Sequence, residues 1–147
     1  MAEQKQGWEG RIFYGGTPGV EATTPIPETR DMSETFDTDK GNTTVREVDG
    51  GGNPLRPVET ESVTVLKYQF DFQTLNVPGN AVIAALLAAS YTGSAIAFRS
   101  KDYAAGKGVD CDMILSHKLG LSLRGEQTLD FTAKPTRDGG RRPRFYV

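Results

Sequence analysis

The chain of 147 residues contains one cysteine and one histidine, too few for the commonest catalytic and metal centres. Cys111 alone cannot form a disulfide within the chain, and a zinc site built from cysteine and histidine lacks its ligands. A nucleophile activated by histidine would need His117, which lies between Leu115 and Leu119 on the apolar side of an alternating segment. We therefore interpret His117 as a hydrogen-bonded core or interface residue and Cys111 as a small buried apolar residue.

Long hydrophobic runs are also missing. No apolar stretch approaches the roughly 18 residues that a membrane span requires, and residues 1–10 are polar where a secretory signal would be apolar. The 37% hydrophobic and 24% charged residues are typical of a globular protein, and 17 glycines predict many loops. We expect one domain over residues 1–147, made in a reducing cytoplasm, with no membrane partner.

Two long segments alternate apolar and polar side chains with the period of a β-strand. Residues 62–75 predict one half-buried strand, and residues 111–124 predict a second. A turn at Gly125 and Glu126 leads into a further strand over residues 129–133, so that the last two strands form a hairpin. Asp110 and Asp112 fall on the polar side, where we interpret them as solvated carboxylates that would need a third ligand to hold a cation.

The remaining pattern is also mainly that of strands. Residues 8–14, 29–39 and 94–101 predict shorter strands, and residues 42–49 could pair back onto the second of these. Residues 80–91 form the only good helix, because Asn80 can cap its first turn and Gly93 can end it.

Charge is distributed unevenly along the chain. Residues 1–72 carry 13 acidic and 7 basic side chains, whereas residues 73–147 carry 6 and 10. The tail 137–147 is basic and carries two aromatic residues close to its end, which gain stability only if something buries them. We therefore expect this tail to dock on another subunit as an arm, with contact to nucleic-acid phosphates as the alternative. Residues 49–57 contain three consecutive glycines and predict a loop that is mobile in the free subunit.

Six short segments occur in an order and spacing that resemble a known family. They are GRIFYG at 10–15, TRDMS at 29–33, GNTTVRE at 41–47, VLKYQFDF at 65–72, AVIAALLAA at 81–89 and FTAKPT at 131–136. Together they resemble the major tail proteins, or tail tube proteins, of long-tailed bacteriophages and related gene-transfer particles. The similarity extends over most of the chain, although the basic tail departs from the family pattern.

The resemblance implies a mainly β fold of two packed antiparallel sheets, like a sandwich or barrel, flanked by one α-helix. It implies a structural virion protein without catalytic activity, cofactor or metal, made in the host cytoplasm. Six copies would form a ring, and rings would stack into a hollow tail tube through which double-stranded DNA passes transiently. Further partners would be the tail tip, tape measure and terminator proteins. The alternative is a monomeric β-barrel or β-sandwich that serves a virion as a binding or adhesion module.

The resemblance also assigns roles to three surfaces. An inner sheet would line the lumen, and an acidic or polar lining keeps DNA hydrated and mobile, whereas a basic one would hold its phosphates. The lumen-facing candidates are Asp31, Ser33, Thr35 and Asp37, whose alternative is an ordinary solvent face. The candidates for a loop between rings are Asp49, Gly50, Gly51, Gly52, Asn53, Pro54, Leu55 and Arg56. The candidates for an arm that reaches another subunit are Arg141, Arg142, Arg144, Phe145 and Tyr146.

Overall fold

The structure, a computed structural model, describes residues 4–147, and in this part of the chain it has eight strands and one α-helix. The strands are β1 (Arg11–Gly15), β2 (Thr24–Pro25), β3 (Thr29–Asn42), β4 (Glu61–Leu75), β5 (Ile96–Lys101), β6 (Val109–Gly120), β7 (Thr128–Pro135) and β8 (Arg144–Phe145). The helix α1 covers Ala81–Thr92, and a short 3₁₀ turn covers Gly7–Glu9.

The strands are hydrogen-bonded in the order β2-β1-β5-β6-β7-β4-β3, and β8 pairs with β6. The first part of β6 pairs with β5, ending with Met113 opposite Ile96. The second part pairs antiparallel with β7 and ends with Gly120 opposite Thr128. The predicted hairpin of the last two long strands is therefore confirmed, and β6 belongs to both halves of the sheet.

These strands form one continuous sheet, whereas the resemblance implied two packed sheets. β4 and β5 are three positions apart in the strand order, which would separate them by about 14 Å in a flat sheet. Yet the ring centroids of Phe70 on β4 and Phe98 on β5 are 5.1 Å apart. The sheet therefore folds over itself, and its two halves pack face to face while β6 connects them. The predicted mainly β fold with one helix is confirmed.

Aromatic rings fill the space between the two halves. Phe72 contacts Phe98 and Phe131, with ring centroids 6.1 and 5.1 Å away, and all three side chains are buried. The helix α1 packs against β6 and buries Ile83 and Leu86. The core thus consists of apolar side chains from α1 and from five strands, β1, β4, β5, β6 and β7.

The helix begins and ends where its sequence predicts. The Asn80 side-chain oxygen accepts hydrogen bonds from the N–H groups of Val82 and Ile83, at 3.0 and 3.3 Å. Gly93 ends the helix with a φ of 70°, a left-handed conformation that glycine adopts without strain. Both residues cap the helix through contacts within a few residues along the chain, and the predicted helix is confirmed.

The chain divides into two compact units. The first consists of the residues up to Glu34 together with Gln69–Val147, and it contains the aromatic core. The second is Thr35–Tyr68, in which most side chains are exposed. A single domain over residues 1–147 stays a prediction.

The second unit is an extended hairpin. The Thr43 N–H donates to the Thr60 carbonyl at 2.9 Å, and Lys67 pairs with Asp39 at 3.1 Å. The predicted pairing of residues 42–49 with residues 29–39 is wrong. β3 continues through Asp39 to Asn42, because the returning strand β4 supplies its partners, including a Thr64 hydroxyl that donates to the Asp39 carbonyl at 3.1 Å.

Candidate functional site

One side of β6, β7, β4 and the start of β3 is polar, and we call it the polar face. Residues directly opposite each other in neighbouring strands point to the same side of a sheet. By this register its members are Ile114, Ser116 and Lys118 on β6, Asp130, Thr132 and Lys134 on β7, and Asp71 and Gln73 on β4. Asp31 and Ser33 of β3 join several of these in lining a shallow depression of about 330 Å³. The four strands therefore share one hydrophilic surface.

Neutral donors hold two of the three carboxylates of the polar face. Asp71 accepts hydrogen bonds from the Thr132 hydroxyl at 2.8 Å and from the Gln69 amide at 3.0 and 3.1 Å. Asp130 accepts one from the Gln73 amide at 2.9 Å. These donors fix the carboxylates without cancelling their charge. With three aspartates and two lysines, the polar face has a small negative excess of charge.

The structure brings together only part of the predicted lumen-facing set. Asp31 and Ser33 lie on the polar face, and Thr35 and Asp37 follow on β3 in the second unit. All four side chains are exposed. Sequence reasoning did not select the polar residues of β4 and β7 that lie beside Asp31. Their alternation was visible, but the pairing of β7 with β4 was not.

The predicted loop between rings is a hydrogen-bonded turn centred on Asp49. The Asp49 carboxylate accepts from the N–H groups of Asn53 and Gly51, at 3.0 and 2.8 Å, and from the Asn53 side chain at 3.2 Å. These bonds lower the pKa of Asp49, with the Asn53 N–H first in importance. Gly52 has a φ of 79°, a left-handed conformation that glycine adopts without strain. Residues 49–57 are all exposed, and their role between rings stays a prediction.

The C-terminal arm, residues 137–147, contacts its own chain at β6. Arg141 Nε lies 2.9 Å from Asp112 Oδ1, and its Nη1 lies 2.9 Å from Asp110 Oδ1. Arg144 Nη2 pairs with Asp110 Oδ2. Both carboxylates are 0% exposed, so their interpretation as solvated groups is wrong. The arm covers the polar side of β6 at this point, and its arginines neutralise the two carboxylates that it buries.

Further contacts enclose the same ion cluster. The Gly19 N–H donates to both oxygens of Asp112 at 3.0 Å. Burial works to lower the pKa of Arg141, but hydrogen bonds to Asp112 and the charge of Asp110 outweigh it, so that the pKa is raised. Other arm residues differ, since Phe145 pairs with Val109 whereas Arg142 and Tyr146 are exposed. The aspartates of β6 and the arginines of the arm were visible in the sequence, but their proximity was not.

The lone cysteine and histidine have the surroundings that their sequence context predicts. Cys111 is fully buried, and burial raises the pKa of its thiol to about 12. His117 Nδ1 lies 2.6 Å from the Ser90 hydroxyl, and its ring contacts Tyr91 edge-on at 4.6 Å. Both interpretations are confirmed.

Residues 4–147 contain no group of three or more histidine, cysteine or carboxylate side chains placed to hold a metal ion. None of the helices described in that range has the length and apolar character to cross a membrane.

Comparison with known proteins gives matches in structure but not in sequence. No protein-family model matches the chain, and neither does any curated protein. A chain in the tail of an empty gene transfer agent particle, refined helically with C6 symmetry, superposes with a TM-score of 0.71 at 14% identity, covering 98% of this chain and 100% of that one. A chain in the virion of the native gene transfer agent gives 0.66 at 13% identity, with coverage of 98% and 100%. The SPP1 tail tube gives 0.63 at 12% identity, with coverage of 89% and 75%. The chain therefore has the fold of tail tube proteins.

Proposed function

We propose that this chain is a structural subunit of a hollow virion tail tube through which double-stranded DNA passes, and that it has no enzymatic role. Six copies form a ring, and rings stack along the tube. The observation that carries the proposal is the shared fold, over 98% of this chain, with the subunit of a tail that has C6 symmetry.

The polar face is the proposed lumen wall. The part of the sheet that carries this face has two strand edges, because β3 is last in the strand order and β6 beyond Met113 has β7 as its only strand partner among residues 4–147. Unpaired strand edges are templates for pairing with another chain. If β3 of one copy pairs with β6 of the next, the same two-sided contact repeats and closes a ring. The polar faces of six copies then form one continuous inner surface.

The charges on this face suit a DNA conduit. Lysine and arginine bind DNA by neutralising phosphates, so a wall with a positive excess would retard the strand. Here Asp31, Asp71 and Asp130 outnumber Lys118 and Lys134, and the excess is small. A hydrophilic wall with a weak negative field keeps the polyanion hydrated and away from the surface.

The part of the second unit beyond Asp37 is the proposed contact between rings. It exposes apolar side chains along a two-stranded hairpin, including Val48 at 64%, Val58 at 73% and Val63 at 53%. Isolated hairpins of this kind have little stability of their own, so a neighbouring ring would both cover and order it. The turn at residues 49–56 lies in this hairpin. We propose tail tip, tape measure and terminator proteins as further partners at the ends and in the interior of the tube. The chain is then made in the host cytoplasm and becomes part of the virion.

Imaging and sedimentation of the purified chain test this proposal. We expect rings with sixfold symmetry or tubes in negative stain, and species larger than monomers in sedimentation. Met32→Pro removes a backbone N–H from the outer edge of β3 and should reduce assembly, while Met32→Ala loses the same side chain, keeps the N–H and should assemble. A chain that remains monomeric at high concentration, in several salts and with tail-tip initiators present, would favour the monomeric binding or adhesion module instead.

A further inference from the structure

Two carboxylates are buried in the first part of β6, and the C-terminal arm supplies the arginines that pair with them. Asp110 and Asp112 are both 0% exposed, and their ion pairs are with Arg141 and Arg144. A buried carboxylate without a partner is strongly destabilising, because it loses hydration and gains nothing in return. This conformation of β6 therefore depends on the arm being docked.

The backbone of the arm is bound to the same region. Thr136 N–H donates to the Asp112 carbonyl at 2.9 Å, where the ladder of β7 on β6 ends. β8 then continues along β6, and Val147 and Gly108 exchange N–H to carbonyl bonds of 2.9 and 3.1 Å. Arg99 Nη2 on β5 also donates to the Val147 carbonyl at 2.5 Å. The arm thus joins β6 to β5 through backbone and side-chain bonds.

The two buried carboxylates are also enclosed by the chain around Gly19 and Gly139. A Cβ atom at Gly139 would collide with the Asp112 carboxylate and with the Pro18 side chain, so the chain passes here only because the residue is glycine. Beside it, Gly19 N–H donates to Asp112. The arm and the loop around Gly19 together exclude water from the carboxylates.

We propose that the C-terminal arm is an intramolecular strap: its docking and the folding of β5 and β6 are one cooperative event, and the strap stays on its own subunit in the assembled tube. The docking of the strap does not depend on the proposed tube function. Only the statement that the strap stays on its own subunit in the tube rests on that function. Contact with another subunit then falls to the second unit and the strand edges rather than to the arm.

Arginine substitutions test the strap through folding. Arg141→Gln leaves two buried carboxylates short of a partner, and we expect the folding equilibrium constant from urea denaturation to fall by roughly 10²-fold or more. Arg142→Gln is the matched control, because it removes the same charge from an exposed neighbour and should change the constant by about twofold at most. Equal effects of the two substitutions would overturn the proposal.

A second variant covers the case in which Arg141→Gln does not fold. Combining it with Asp110→Asn and Asp112→Asn removes the uncompensated charges while keeping side chains of the same shape. We expect this triple variant to recover soluble, folded protein and much of the lost stability. If it stays as unstable as Arg141→Gln alone, charge neutralisation is not what the arm provides.

Hydrogen exchange tests the cooperativity. If the strap and β6 open together, the amides of Phe145 and Val147 should exchange with the same opening free energy as those of Val109 and Cys111, under conditions where opening is fast. An arm whose amides exchange much sooner than those of β6 is a separate flexible segment, and the proposal is then wrong.

An engineered disulfide tests whether the strap stays on its own subunit. Val109 and Phe145 lie directly opposite in the β6–β8 ladder, so cysteines at both positions can form a bridge that holds the arm in place. We expect the oxidised protein to assemble as the reduced one does. Assembly of the reduced form alone would show that the arm must move. Failure of the unmodified chain to assemble counts against the tube function, whereas folding and exchange judge the strap without assembly.

Discussion

Reversing charge on the proposed lumen wall gives the most direct test of function. Asp31 and Asp37 are exposed carboxylates of β3. The Asp37 carboxylate accepts a local hydrogen bond from the Thr38 N–H at 2.8 Å. Replacing both by lysine changes each position from −1 to +1. The shift is four charge units per subunit and about 24 in a ring of six, at sites that contact passing DNA if the wall is correctly assigned.

The expected size of the effect follows from exposure and counterion release. Exposed substitutions of this kind change the free energy of unfolding by about 0.5 kcal/mol or less, so tubes should still assemble. Each phosphate that a lysine neutralises contributes a slope of about −0.9 to the logarithm of affinity against the logarithm of salt concentration. Two such contacts strengthen DNA retention roughly tenfold between 200 and 50 mM salt, and a ring offers twelve new lysines.

The assay is the rate of DNA release from particles that carry the double variant, measured over a range of ionic strength. We expect slow or stalled release at low salt that recovers as salt screens the attraction. Asp31→Asn with Asp37→Asn is the matched control, since it removes the negative charge without adding a positive one and should release DNA at close to the normal rate. A normal rate at low salt for the lysine variant refutes the assignment of β3 to the wall.

Four further results are expected. Phe98→Ala should lower the free energy of unfolding by about 3–5 kcal/mol in urea denaturation, because the ring lies between both halves of the sheet. Cys111 should resist alkylation at pH 8 until the protein unfolds, since its pKa is about 12. Asp49 has a lowered pKa, so its turn is stabilised above the ordinary pKa and weakened as pH falls through the folded value. NMR titration of the Gly51 amide should therefore show a midpoint below the ordinary value, and a midpoint at or above that value would contradict this. Deleting residues 50–52 should leave a folded subunit by circular dichroism but impair stacking, and normal tubes would remove that role from the turn.

Local sequence patterns predict most of the individual elements. The period of two over residues 62–75 and the caps at Asn80 and Gly93 act within a few residues, and β4 and α1 lie where these signals place them. The folding of the sheet over itself depends on the pairing of β7 with β4, which are more than 50 residues apart in the chain. Nothing in a local pattern determines such a pairing.

The buried aspartates show a second kind of limit. Alternation correctly places Asp110 and Asp112 on the side of β6 opposite Cys111, but it does not tell what lies over that side. An arm about 30 residues later covers it and supplies the opposite charge. At residues 49–57 composition pointed to mobility, whereas the Asp49 side chain organises a turn through contacts that depend on geometry. The mobility of this loop in the free subunit stays a prediction.

The ion cluster on β6 has a consequence for the strand as a whole. β6 carries Asp110 and Asp112 at one end and the polar-face residues Ser116 and Lys118 at the other, all on the same side. A slip of one residue against its neighbours would turn every side chain of the strand to the opposite side. It would send both carboxylates into the apolar layer around Phe98 and leave Arg141 facing a thiol. Asp110 and Asp112, which the arm covers, therefore fix the register of β6 at the polar face, although neither residue belongs to that face.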